Sequence, residues 1–109
     1  MKQTVDLHDF REGFRQVRPN NFSYEGLEVL FEYLEGVEDD IGEQLEFDVI
    51  ALCCDFSEDD WQTIAKYYDG VFLEDGAEDE ENMEHVIEFL RDEGAYIGRT
   101  KTTIIYRDI

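Results

Sequence analysis

Between Pro19 and Leu90 the chain carries 23 carboxylates and a single cation, Lys66, a net charge of −22 over 72 residues. Self-repulsion on that scale opposes compaction, so any fold must turn a narrow apolar stripe of each element inward and leave the remaining faces to water. The ends do not share the bias. Residues 1–18 and 91–109 each net +1, which brings the whole chain to −20. Hydrophobic residues make up 42% and aromatics 14%, enough burial to offset the entropy of ordering, and this excludes a disordered acidic tail. A length of 109 residues fits one domain that hides about 60–70% of its unfolded surface in one core.

The apolar spacing divides the chain into elements. Leu7, Phe10, Phe14 and Val17 predict a first helix over 6–17, closed by Pro19. Leu27, Leu30, Phe31, Leu34 and Val37 predict a second over 24–40, with Ser23 as its N-cap and Gly42 as its left-handed terminator. The run EFDVIALCCD, 46–55, is continuous, apolar and β-branched, and reads as a strand buried on both faces at the centre of a sheet. Ser57 and Asp60 then read as a capping box for a third helix that ends at Gly70. VFLEDGAEDEEN, 71–82, reads as a charged loop, and Met83, Val86, Ile87 and Leu90 predict a fourth helix over 80–93. Ala95–Gly98 and Thr102–Arg107 form a hairpin. The expected fold is α+β, in the order α-α-β-α-α-β-β, with a small antiparallel three-stranded sheet and about four helices.

Enzymatic constellations are missing. A nucleophile needs a base and an orienting group, and His8 and His85 are the only imidazoles. No glycine loop for phosphate and no paired-cysteine zinc motif is present. A calcium loop starting at Asp75 fails, because Ala77 and Glu80 fall where an acid and a glycine are required. Neither catalysis, a cofactor nor a specific metal site is expected. Cys53 and Cys54 are adjacent and read as reduced, buried, small apolar residues. No run approaches about 18 consecutive apolar residues, and MKQTVDLHDF lacks the pattern of a signal peptide. The expectation is therefore a cytosolic protein without membrane contact.

What remains is the charge. Glu25, Glu28, Glu32 and Glu35 follow one another at steps of three, four and three on the second helix, and Asp39 adds a further turn. At 1.5 Å per residue their carboxylates recur every 4.5 to 6 Å or so, close to the scale on which nucleic-acid phosphates repeat. Asp40, Glu58, Asp59, Asp60, Glu78, Asp79, Glu80 and Glu81 extend the acidic surface if the fold gathers them. Charge runs are most often solvated faces, but a surface selected for solubility normally mixes both signs. A surface meant to sit in a phosphate-binding groove is harmed by each lysine it carries. The sequence thus points to a basic nucleic-acid-binding protein as partner, to no direct contact with nucleic acid, and to a monomer or homodimer. An alternative is an interaction module that uses an aromatic patch of Tyr24, Tyr33, Trp61, Tyr67 and Tyr68, with acidity serving solubility alone.

FSYEGLEVLFEYLE (22–35) and FDVIALCCDFSE (47–58) resemble a family of small acidic proteins encoded by bacteriophages and prophages. The similarity covers residues 8–60 well and the terminal hairpin loosely, and it departs around 61–82. It implies expression inside a bacterial host, where such proteins neutralise restriction nucleases or CRISPR effectors by filling their nucleic-acid channels. It supplies no catalytic residue.

Overall fold

A computed structural model describes residues 5–68, 70, 71 and 73–108. Asp69, just before the expected helix end at Gly70, and the loop position Phe72 lie outside the described residues; the helix itself closes earlier, at Tyr67. Among the described residues eight elements follow one another: α1 Leu7–Val17, α2 Tyr24–Ile41, α3 Val49–Asp55, β1 Phe56–Asp59, α4 Trp61–Tyr67, α5 Asp79–Asp92, β2 Tyr96–Arg99 and β3 Ile104–Arg107. The fold is α+β, built on a three-stranded antiparallel sheet ordered β1-β3-β2.

Helices α1 to α4 start where the sequence supplies a side-chain acceptor for exposed N–H groups, whereas α5 starts at Glu78 without one. Asp6 caps α1 by accepting from Asp9 N, and Asp9 reaches back to complete a capping box. Ser23 caps α2 through Gly26 N, and Gly42 ends it at φ 70°, a conformation glycine adopts without Cβ strain. The apolar stripes land as their spacing requires: Leu27, Leu30, Phe31 and Leu34 of α2 and Met83, Val86, Ile87 and Leu90 of α5 are all buried. Val17, at the end of the α1 stripe, is instead 44% exposed.

Strand register divides the core in two. Directly opposed residues of an antiparallel pair share a face, so Ile105, Glu58 and Gly98 look one way, and Ile104, Asp59 and Arg99 the other. The first face meets α1, α2 and α3 through Phe10, Phe14, Phe22, Leu30 and Phe56. The second meets α4 and α5 through Ile64, Val86, Ile87 and Leu90, with Ile104 and Tyr106 from the sheet. Three layers result, with helices on both faces of a small sheet. Ile97 forms a bulge in β2 and packs toward the first core while Tyr96 packs toward the second.

The segment 46–55 departs from its expected strand. Asp48 accepts from Ala51 N at 3.1 Å and so nucleates helix α3, which raises the helix count to five. The strand follows directly after α3, as the four residues FSED, and it pairs at the edge; the centre belongs to β3. Ser57 accordingly caps nothing. It lies in β1 and donates to Asp108 Oδ1 at 2.6 Å, while Asp60 alone caps α4 through Thr63 N. The cysteines shift with the helix: Cys53 is half-buried and Cys54 exposed, both as free thiols, rather than buried on a strand. Among the described residues no helix is long and apolar enough to cross a membrane.

Gly98 lies so close to α2 that a methyl group there would overlap Val29 Cγ1. Val is stiff at χ1, so the contact cannot relax cheaply. Gly98→Ala should destabilise the fold by about 1–3 kcal/mol, as overpacking does, with Val29→Ala in the same chain restoring most of it; urea unfolding of the two variants checks this.

Candidate acidic interaction surface

On α2 the five expected carboxylates hold their row. At 100° per residue, Glu25, Glu28, Glu32, Glu35 and Asp39 fall within an arc of about 80°, all exposed and opposite the buried stripe. Asp40 is exposed too, turned about 100° from Asp39. The helix has seven acids and no cation in its 18 residues. Cations do reach it from other elements: Arg107 of β3 donates to the Tyr33 hydroxyl at 2.9 Å, and Arg11 of α1 meets its first turn. Arg11 donates to the Tyr24 carbonyl at 2.8 and 3.2 Å, stacks on the Tyr24 ring at 3.5 Å, and stands 4.0 Å from Glu28. The remainder of the row, from Glu32 to Asp39, faces solvent.

The 58–60 cluster is committed to the fold. Glu58 accepts from Ser23 N and Ser23 Oγ, both at 2.7 Å, and from Thr103 Oγ1 at 2.5 Å. Its carboxylate occupies the space a side chain at Gly26 would fill. Asp59, on the opposite face, accepts from the buried Tyr106 hydroxyl at 2.6 Å. Burial raises the Asp59 carboxyl above its usual range, against the pull of that hydrogen bond, and burial followed by Asp59 itself raises the Tyr106 hydroxyl. The hydrogen bonds from Thr63 hold Asp60 low. Glu38, outside the row, is lowered chiefly by Leu45 N, which donates to it at 2.7 Å.

On α5, Glu78 is the N-cap residue, and Asp79, Glu80 and Glu81 fill the first turn, where the helix dipole favours anions. Glu80 pairs with Arg99 at 2.6 Å, and that hydrogen bond lowers its carboxyl. A second row continues from here. Glu81, Glu84, Glu88 and Asp92 recur at steps of three, four and four on the face turned from the core, all exposed. Glu84, Glu88 and Asp92 escaped the sequence reading, although their spacing repeats that of the α2 row. Arg99 lies 3.4 Å from Glu84, so this row is partly answered at its start.

The fold therefore does not gather every acid on one side. α2 and α5 cover opposite faces of the sheet, and their rows point outward in opposite directions. The Cα envelope measures 48 × 28 × 20 Å, so a charge of −20 amounts to about one per 2.4 Å of the long axis, against about one per 1.7 Å for duplex DNA. The aromatic alternative does not assemble into a single patch. Tyr33 packs on Phe56, and Trp61 and Tyr68 pack against the second core. Tyr24 and Tyr67, each 69% exposed, stand on helices of opposite layers. Among the described residues no group of three or more His, Cys, Asp or Glu is placed to share a metal ion. No family model, curated protein or solved structure matches the chain.

Two outcomes follow. Glu58→Ala, which strands Ser23 N and removes one partner each from Ser23 Oγ and Thr103 Oγ1, should lower stability by about 1–3 kcal/mol, whereas Glu35→Gln should leave it unchanged or slightly raised; chemical denaturation separates them. The pH response should carry Asp59's signature. With a folded-state pKa above the unfolded value of about 3.9, its carboxyl favours folding when protonated, and this contribution is lost as pH rises through the folded pKa. Asp60, Glu38 and Glu80, all lowered, contribute above their unfolded values and lose that as pH falls. In about 1 M NaCl, where the Debye length is about 3 Å, Asp59→Asn should remove the part of the pH response in which the urea midpoint rises as pH is lowered, and leave the acid-side loss from Asp60, Glu38 and Glu80.

Proposed function

We propose that the protein is a non-enzymatic acidic inhibitor that works in the cytoplasm of a bacterial host by occupying the phosphate-binding groove of a basic nucleic-acid-binding protein, of the restriction-nuclease or CRISPR-effector kind. The observation that carries this reading is the α2 row: carboxylates at phosphate-like intervals along a rigid helix that contains no cation. A charge density along the long axis close to that of a duplex supports it, and the resemblance of residues 22–35 and 47–58 to small acidic phage proteins supplies the cellular setting.

Helical order matters to such a role. A flexible acidic chain would lose conformational entropy on entering a groove, whereas Glu32, Glu35 and Asp39 are held in register by the helix before any partner arrives. Internal bonds engage Glu58 and Asp59, which are half-buried, while Asp60 remains exposed beside them. Arg11 weakens the row at Glu28, so the free segment toward the C-terminal half of α2 carries most of the attraction.

The test is competition. The protein should displace labelled duplex from a host nuclease or effector, and its apparent affinity should fall steeply between about 0.05 and 0.2 M salt. Replacing Glu32, Glu35 and Asp39 by their amides should weaken it at least tenfold, or about 1.4 kcal/mol, and flatten the salt slope without altering the fold. Displacement that survives the triple change undiminished rules the row out.

A further inference from the structure

One surface is out of character with the rest of the molecule. In a chain where 35% of residues are charged, the six residues Val49 to Cys54 include none, and yet helix α3, which they build, contains no fully buried residue. Val49, Leu52 and Cys53 form its inner side and pack partly against the first core. The outer side presents Ile50, 45% exposed, with Ala51 and Cys54, also exposed; Ile50 and Cys54 stand one turn apart and so lie side by side. Gly13 of α1 lies against Phe47 and Val49 on the inner side, which leaves the outer side uncovered by α1. Isolated exposed apolar residues are ordinary. A whole helix face without a polar side chain, on a surface otherwise crowded with carboxylates, is not.

The rim of this strip indicates what covers it. Glu46, Asp48 and Asp55 are exposed at the two ends of α3, and Arg18, at the α1 margin, donates to the neighbouring Val17 carbonyl at 2.9 Å. A second copy is a poor occupant, because it would bring two bodies of −20 together edge to edge. We infer that the outer face of α3 is a docking strip for a basic amphipathic helix of the partner, whose apolar stripe covers Ile50, Ala51 and Cys54 while flanking lysines or arginines meet Glu46, Asp48 and Asp55. The inference rests on the reading of a basic partner and adds a part to it: attraction through the carboxylate rows is long-range and salt-sensitive, whereas an apolar strip supplies contact that salt does not screen.

Cys54 reports on the strip directly. In the full chain carrying Cys53→Ala, the rate of Cys54 alkylation by N-ethylmaleimide is measured with a helical peptide bearing leucine on one stripe and lysine elsewhere, and with a control in which every leucine is serine at equal charge. The leucine peptide, at about ten times its dissociation constant, should slow alkylation about tenfold, and should still do so near 0.5 M salt, where the Debye length is only about 4 Å. The serine control should leave the rate unchanged, and Ile50→Asp should abolish the protection. Equal protection by both peptides, or protection that persists in Ile50→Asp, overturns the inference. So does a Cys54 already shielded without peptide in a chain that sediments as a dimer, which would make the second copy the occupant. If both peptides bind by calorimetry and neither shields Cys54, only the strip falls; if neither binds at low salt, the basic-partner reading falls with it.

Discussion

Glu58 joins three parts of the chain that sequence holds far apart. Its carboxylate takes hydrogen bonds from Ser23, the N-cap of α2, and from Thr103 beside the β2–β3 turn while its backbone pairs in β1. A helix start, an edge strand and a hairpin turn are thereby placed relative to one another by one side chain. The absent side chain at Gly26 leaves the room for it, so the SYEG and FSE strings of the two motifs are one structural unit. Everything downstream depends on that placement: α2 lies across one face of the sheet, Val29 settles over Gly98, and the outer face of α2 is fixed as the face of the carboxylate row.

A chain this acidic has to keep most of its charge in water, but it also spends carboxylates inside the architecture. Asp6, Asp48 and Asp60 each begin a helix by accepting a backbone N–H, and Glu38 holds the loop after α2 through Leu45 N. These are the sites at which an anion satisfies a donor the helix leaves open. Acids of the second kind, Glu32, Glu35, Glu88 and Asp92 among them, stand at positions where a cation would do as well for stability and better for repulsion. Structural need accounts for the first group and leaves the second unaccounted for, which is why function is sought there.

Much of this was legible beforehand. Two long amphipathic helices announced themselves by periodicity, and the C-terminal hairpin by its β-rich runs, because each signal is local and repeated over several turns or pairs. α3 was not legible, since a short apolar run of β-branched residues has the composition of a buried strand and too few turns to show a helical period. The strand that does form, FSED, carries residues depleted from sheets; it is made by pairing with Ile104 to Arg107, a long-range partner no local pattern reveals. Of the candidate surface, the α2 row was readable from spacing, the structural roles of Glu58 and Asp59 were not, and the α5 row was readable but overshadowed by the denser cluster at its start.

Placement of the two rows bears on the shape of partner they suit. With a sheet between them, the axes of α2 and α5 are separated by two layer spacings of about 10 Å each, and each row points away from the other. At physiological ionic strength the Debye length is about 8 Å, so a flat basic surface docked on α2 gains almost nothing from α5. A cleft with cations on facing walls engages both rows at once, and the internal layers keep them at fixed spacing as it closes. On the proposed reading, then, the three-layer build is part of the mimicry: a duplex also presents its charge on opposite sides of a stiff, filled body, and a groove that encloses it is the surface on which the two are hardest to tell apart.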